Sequence, residues 1–475
     1  MVELTKKDII TTLKIVSNML RFLGLIILVP MFVSIAYKEY VFSKLFLIMA
    51  VLLFVVFSVI NRFLKGEKSS IKDAIIGMVF CWIIISFISS IPFLIIKMRF
   101  VDALFEAVSG WTGTGLTMVQ TPEQLPFSIN FWRAFIQWVG GFGIVILALM
   151  FYEKPKTAKV LFLAEGRTEN FFINFSVIAR TIVGIYFFYT VMGVLLMMIA
   201  GVPFFDALVN VMTAIATGGF TTRTAGVGIF GPIAMCIMIL MMLIGGISFA
   251  SHYELLKGKI KNFFSNPEIR LMLLMILGAA AVIAFDLFLT KQYKFFDGLF
   301  YSVSALSGTG HTAILSVDKF PHVSIVILVL LMISGACYGS TTGAIKIWRT
   351  AIVGKVIKRE ISRVFFPERT ILPIKLGGNV IPEENASKAA AYMLLYISIL
   401  LLGSISFIFF GYDTIHSIFT VASAQGNVGL NILTERYFSM NAFLKVQLML
   451  HMLLGRLEII PIFVLIRGLV GGRTD

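Results

Sequence analysis

Four stretches of this chain repeat one pattern, and that repetition limits the fold more than any other feature. The first reads Asp102-Ala-Leu-Phe-Glu-Ala-Val-Ser109-Gly-Trp-Thr112-Gly-Thr-Gly115-Leu-Thr117. A second opens at Asp206 and passes through Thr213, Ala216-Thr-Gly-Gly219 and Thr221. A third opens at Asp297 and passes through Ser304, Ser307-Gly-Thr-Gly310-His and Thr312. The fourth starts at His416 and runs through Ser423, Gly426-Asn-Val-Gly429 and Asn431. The last glycine stands 13 residues after the opening residue every time, with Ser or Thr six before it and Thr or Asn two after it. Further on, Gly141, Gly245 and Gly455 each lie 26 residues past their glycine, and Gly335 lies 25 past Gly310. One supersecondary unit is therefore used four times.

The solvent of that unit follows from composition. Of 475 residues, 58% are hydrophobic and 14% charged, with a mean hydropathy of +0.94, whereas soluble domains carry about 25% charged residues. This predicts a polytopic α-helical membrane protein. A span needs about 20 apolar residues, and runs that qualify lie near 12–36, 43–61, 74–96, 132–152, 177–200, 229–250, 271–290, 322–345, 389–411 and 443–469. The repeated segments 103–112, 207–216, 298–307 and 417–426 are too short to cross and precede Gly-rich stretches, so they read as re-entrant half-helices. Lys6 and Lys7 precede the first run, which has no small-residue cleavage site and is expected to remain as a helix.

A net charge of +15 would suggest nucleic acid in a soluble protein. Here its distribution matters more, and no nucleic-acid partner is expected. Segments 62–72, 154–170, 252–270 and 346–388 hold 21 Lys/Arg, while 97–131, 202–228, 291–321 and 412–442 hold 7. Basic loops stay inside, so the first set and both termini are expected in the cytoplasm, with the half-helices entering from outside. Within 350–387, Gly377-Gly378 sits in a pattern expected to form a short β-hairpin, and the segment is either a docking surface for a cytosolic partner or a plain loop. The expected units are two N-terminal spans (1–68), four span–half-helix–span units (69–153, 154–262, 263–350 and 388–475) and a cytoplasmic loop (351–387).

An aspartate opening a half-helix is expected to cap its free N–H groups. The opposite, negative end then points to the bilayer midplane, where a cation is stabilised. Glycine permits the backbone that follows to turn carbonyls outward, and four such loops about one axis would replace the hydration shell of a monovalent cation. Taken singly, each Thr-x-x-Gly could be a tight turn or a close helix contact; fourfold recurrence argues otherwise.

These residues resemble the Trk/Ktr/HKT superfamily of K⁺ transporters, most closely its TrkH type. The motifs are Ser109-Gly-Trp-Thr-Gly-Thr-Gly115, Phe131-Trp-Arg-Ala-Phe-Ile-Gln-Trp-Val-Gly-Gly-Phe-Gly143, Ala216-Thr-Gly-Gly-Phe-Thr-Thr222, Gly335-Ala-Cys-Tyr-Gly-Ser-Thr-Thr-Gly-Ala-Ile-Lys-Ile347 and Leu454-Gly-Arg-Leu-Glu458. The resemblance runs from about residue 70 to the end, and two extra N-terminal spans match the TrkH branch. It implies an all-α membrane protein of four pseudo-symmetric M1–P–M2 units around one pore, assembled as a homodimer in the cytoplasmic membrane. It also implies K⁺ uptake through a filter of Thr112-Gly113-Thr114-Gly115, Ala216-Thr217-Gly218-Gly219, Ser307-Gly308-Thr309-Gly310 and Gly426-Asn427-Val428-Gly429, with K⁺ bound there. Gly115 fits the K⁺-preferring members, since many Na⁺-selective plant relatives have Ser there; the fourth loop diverges, leaving room for less strict selectivity. A cytosolic nucleotide-binding subunit of the TrkA type is the implied partner.

Gly335, Gly339, Ser340, Thr341, Thr342 and Gly343 interrupt the second span of the third unit, and such a stretch cannot face lipid. In the family it is an intramembrane gate; a helix kinked for packing is the plain alternative. Lys346 either binds near it or snorkels to the interface. The resemblance puts Arg456 near the pore below the filter as a barrier, while a structural pair with Glu458 is the alternative. Asp286 reads as interfacial. His252, His311 and His451 lack metal-ligand spacing, and His311 leaves room for a weak pH effect at the outer mouth. Cys81, Cys236 and Cys337 read as buried, inert thiols. No organic cofactor and no enzymatic constellation is expected. A Na⁺-permeable or poorly selective member, a H⁺- or Na⁺-coupled solute symporter, and an intramembrane hydrolase are the competing classes.

Overall fold

The computed structural model describes residues 6–64, 71–141, 143, 175–290, 295–313, 317–367, 370, 372–377, 379–459 and 461–463. The chain is mainly helical. Two apolar helices, Lys6–Ile26 with its continuation Leu28–Ala36, and Tyr40–Phe63, pack on each other, and the first also packs against Ile71–Ser89. Long helices Ile71–Ser89, Phe175–Ile199, Pro267–Leu289 and Glu383–Phe409 then each lead to a short helix: Phe100–Thr112, Phe204–Ile215, Phe295–Leu306 and Thr414–Gln425. A loop follows, and the unit ends in a second helix: Phe127–Gly141, Gly231–Gly246, His322–Ser334 or Ala442–Leu457.

The packing order closes on itself. Each second helix contacts its own short helix and the short helix of the next unit, and the fourth, Ala442–Leu457, contacts the first, Phe100–Thr112. Beyond its first turn each short helix is almost wholly buried, while the long ones turn Phe and Leu outward, as at Phe187, Leu195, Leu274, Phe285, Leu402 and Phe409. Burial and repetition thus put four polar loops inside an apolar coat, where backbone groups need internal partners.

Among the described residues, seven helices are long and apolar enough to cross a membrane: Asp8–Ala36, Tyr40–Phe63, Ile75–Ile95, Arg180–Ile199, Val227–Gly246, Pro267–Leu289 and Glu383–Phe409. Two of the ten expected spans differ, and a third is only partly described. Run 132–152 lies outside the described residues beyond Gly141 except for Gly143. Run 322–345 is helical only to Ser334, and run 443–469 breaks at Glu458, whose φ is +61°.

The expected loop 351–387 is more ordered than a loop. Helix Ile347–Arg363 begins ahead of it and runs into it, and strands Lys375–Leu376 and Asn379–Val380 pair antiparallel as the expected hairpin. Ile374 and Ile381 pack with Ile352, Ala386 and Ala389 in a small separate core. The spacing G-x-G-x-x-G occurs once, at Gly226-Val-Gly-Ile-Phe-Gly231, but there it surrounds a 3-10 turn entering a span and lacks the preceding strand of a dinucleotide site.

Candidate functional site

Every short helix ends the same way. The second residue of the following loop has positive φ: Gly113 at 65°, Thr217 at 52°, Gly308 at 69° and Asn427 at 53°. Its N–H donates three residues back, to Gly110, Ala214, Ala305 or Ala424. The next N–H donates five back, to the carbonyl of Ser109, Thr213, Ser304 or Ser423 at 2.8–3.0 Å. This paired closure is a Schellman cap, which ends a helix and sends the chain off sharply. The recurring hydroxyl residue is therefore the one whose carbonyl closes the cap. In two copies its side chain also steadies the exit, with Ser304 Oγ donating to His311 O and Ser423 Oγ accepting from Gly429 N.

The fourth loop residue is left-handed too: Gly115 (84°), Gly219 (76°), Gly310 (73°) and Gly429 (95°). A Cβ on Gly115 would overlap the carbonyl oxygen of Gly218; on Gly219, that of Thr309; on Gly310, that of Val428; on Gly429, that of Thr114. One contact, used four times, runs from loop one to two, three, four and back to one. These glycines are required by sterics as well as by torsion. The sixteen expected residues thus come together as a closed ring, buried apart from the half-exposed Gly115, Gly219 and Gly429.

Beneath the ring lies the 335–346 segment. Thr341 Oγ1 stands 3.1 Å from Thr217 Oγ1 and within 3.2 Å of the Ile215 and Gly245 carbonyls. Cys337 N and Thr341 N donate to Gly246 O and Gly245 O. Ser340 Oγ pairs with Thr342 Oγ1 at 2.9 Å, and Gly343 abuts Asn427. Lys346 does not snorkel: it is buried, and its ammonium donates to Thr342 O and Oγ1. Arg456 donates to the carbonyls of Thr341, Gly140 and Gly141, joining the segment to the last and first units. Glu458 pairs instead with Arg349 at 2.7 Å, so the expected alternative of an Arg456–Glu458 pair does not form. Of eight non-glycine residues with positive φ among those described, five (Thr217, Ala344, Lys346, Asn427 and Glu458) lie in or beside this region, and such strain gathers where function demands it.

Residues 43–470 match the TrkH family of cation transport proteins. The chain belongs to that family. It is 33% identical over 98% of its length to an uncharacterised cation transporter of Methanocaldococcus jannaschii, 96% of which is covered. It is 29% identical to the Trk system potassium uptake protein TrkG of Escherichia coli, over 96% of this chain and 98% of the other. The crystal structure of the potassium transporter TrkH from Vibrio parahaemolyticus superposes with a TM-score of 0.85 at 26% identity, covering 96% and 98% of the two chains.

Within this family fold, several expectations need correction. Asp102 and Asp206 do not cap their helices, which begin two residues earlier at Phe100 and Phe204 with no side-chain cap. They form ion pairs instead: Asp102 with Lys445 of the last helix, Asp206 with Arg223 at 2.9 Å. Of the three short helices whose N-cap residue is among those described, only the fourth has such a cap, from Asp413, which accepts from Ile415 N and His416 N. Asp286 accepts from Ser324 N and Oγ, tying Pro267–Leu289 to the start of His322–Ser334. His252, His311 and His451 bond to Ile244 O, Thr213 Oγ1 and Gln425 Oε1; His311 is fully buried, not at an open mouth. Among the described residues no three His, Cys, Asp or Glu come together to hold a metal. Cys236 is exposed on its helix, whereas Cys81 and Cys337 are buried.

Sequence reasoning also missed polar residues around the ring. Glu106 accepts from Arg133 Nε at 2.7 Å, from Thr117 Oγ1 and from Met118 N, all buried or nearly so. Arg133 reaches on to Thr221 O of the second loop and lies over the Phe220 ring. Gln137 donates to Gly218 O at 2.6 Å and accepts from Phe220 N at 3.1 Å, clamping that loop. The available signal was an acid and a base inside apolar stretches, which are rarely idle there.

Proposed function

We propose that the chain is a K⁺ uptake protein of the cytoplasmic membrane, and that the four loops 112–115, 216–219, 307–310 and 426–429 are its selectivity filter. The observation that carries this reading is the closed ring, in which each terminal glycine meets the carbonyl of the next loop. Left-handed torsions at positions two and four of each loop bring successive carbonyls round to one side of the chain. Four such ladders form a cage of carbonyl oxygens that substitutes for the water around K⁺. The negative ends of four buried helices favour a cation at the same level. Relatives named as potassium uptake proteins support the choice of ion.

The 335–346 segment is the gate in this reading, and the Arg456 guanidinium, held by three carbonyls, is an electrostatic barrier beside it. The basic segments face the cytoplasm, and helix Ile347–Arg363 with its hairpin is the docking surface for a nucleotide-binding regulatory subunit of the TrkA type. The assembly is a homodimer with one pore per chain.

The test is uptake of radioactive Rb⁺ into proteoliposomes of the pure protein, with K⁺ or Na⁺ as competitor. K⁺ blocks uptake far better than Na⁺ in the parent, and Gly115→Ser lowers that preference by about tenfold, equivalent to about 1.4 kcal/mol. Arg456→Ala raises flux without removing the preference, which separates a shut gate from a chain that does not conduct. Equal competition by Na⁺, unchanged in Gly115→Ser, would overturn the filter reading in favour of a coupled symporter.

A further inference from the structure

Two of the four loops carry a side chain where the other two carry none. Position two is Gly113 and Gly308 in the first and third loops, but Thr217 and Asn427 in the second and fourth, and all four are left-handed. That conformation suits glycine and is unfavourable for a β-branched residue such as Thr. A Cβ at Gly113 or Gly308 would find nothing nearer than 3.6 Å, so space alone does not demand glycine there. Since the loops follow one another around the ring, the second and fourth stand opposite each other.

Both side chains engage the 335–346 segment. Thr217 Oγ1 meets Thr341 Oγ1 at 3.1 Å, and Thr341 N and O are themselves held by Gly245 O and Arg456. Asn427 Nδ2 donates to Thr114 Oγ1 of the first loop and to Met452 O, each at 2.9 Å. Its Oδ1 accepts no hydrogen bond among the described residues and stands where a Cβ on Gly343 would fall. A strained torsion persists only while its surroundings hold it.

We propose that Thr217 and Asn427 are positioning residues that make the ion preference of the ring depend on the state of the 335–346 segment. The proposal rests on the filter reading above. When the segment shifts, the second loop loses the Thr341 contact of Thr217 and the fourth loses the Gly343 contact of Asn427, their torsions relax, and the carbonyls move relative to the ion. Carbonyl placement sets the discrimination between K⁺ and Na⁺, so the gate and the filter are one linked device rather than two stacked ones.

A double-mutant cycle in the proteoliposome assay tests this, its readout being the ratio of Na⁺ to K⁺ needed to halve Rb⁺ uptake. Gly343→Ala pushes a methyl onto Asn427 Oδ1 and lowers the ratio by about fivefold, the scale of coupling between residues in contact. In the Asn427→Gly background the same change has a clearly smaller effect, because the nearest group it strikes, at 2.3 Å, is gone and only the Gly426 carbonyl at 2.9 Å is left in its way. Thr341→Val and Thr217→Gly form a second, independent cycle with the same expectation, so one misfolded variant, detected by size exclusion, does not decide the matter. Additive effects on the ratio in both cycles, or altered flux at constant ratio, overturn the coupling. Gly115→Ser run alongside keeps the two readings apart: if it leaves the ratio untouched, the filter reading itself has failed.

Discussion

A buried guanidinium beside a buried carboxylate is tolerable only when each finds full hydrogen bonding, because desolvating both costs several kcal/mol. Arg133 and Glu106 meet that condition: the carboxylate takes three kinds of donor, and the guanidinium spreads over Glu106, Thr117, Asn130 and Thr221. The pair links the first short helix to both the first and second loops. Removing one partner strands the other charge, so Arg133→Ala is expected to destabilise the fold by about 3–5 kcal/mol. Glu106→Gln keeps a side chain of the same shape that still accepts, and costs less. Thermal unfolding in detergent, followed by size exclusion, checks the order; equal losses would mean that the charge, which Glu106→Gln removes without changing the shape, carries the stabilisation by itself. At this scale the sequence was legible for residues bound to the repeat and poorly legible otherwise. The spacing located all four terminal glycines, yet Glu106 has Asn210, Tyr301 and Thr420 at the matching positions, so repetition could not mark it. Adjacency misled for Glu458, which lies two residues from Arg456 but faces Arg349 across the fold.

The helices that line the ring owe their closeness to glycine. The Cβ of an alanine at 245 would stand 2.7 Å from Ile215 O and 2.9 Å from Thr217 Cγ2, so the second helix of that unit touches the last turn of its short helix. Gly455 meets Gln425 O in the same way, and in the first unit Gly140 meets Trp111 O. Overpacking of this kind costs about 1–3 kcal/mol. Gly245→Ala is therefore expected to lower the thermal midpoint in detergent. Gly278→Ala, in an exposed helical position with nothing within 4 Å, should hold or raise it, because alanine is favoured in a helix by about 1 kcal/mol. No difference between the two would mean that the helices separate freely at this contact. The 26-residue spacing had pointed to Gly245 and Gly455, and to Gly141 rather than its neighbour Gly140, without saying what they approach. Helix starts were less readable, because the repeat fixes intervals and not caps: Asp102 and Asp206 sit in the first turn but bind Lys445 and Arg223, partners distant in sequence or beyond the loop. Run 443–469 looked continuous because Glu458 is a single residue, and one left-handed torsion suffices to end a helix.

At the scale of the molecule, repetition and apolar length together were enough to anticipate a closed four-unit body, since only a ring lets every short helix bury against two second helices. What they left open is which side of the membrane each face meets, and the answer must come from charge. The basic segments 62–72, 252–270 and 346–388 flank the ends of the spans far from the short-helix starts, and the inside location of Lys and Arg near spans is the strongest topological signal available. Gln124 lies exposed in the loop after the first ring segment, and Lys358 lies exposed on Ile347–Arg363. With Cys236 replaced by serine, the remaining Cys81 and Cys337 are buried, so a cysteine introduced at either site reports alone. In intact cells a membrane-impermeant maleimide should label Gln124→Cys at once and Lys358→Cys only after permeabilisation. The reverse pattern would place the short-helix entrances in the cytoplasm and turn the proposed uptake path round. It would also remove helix Ile347–Arg363 from the reach of any cytosolic partner, which makes this one labelling experiment a test of direction and of docking together.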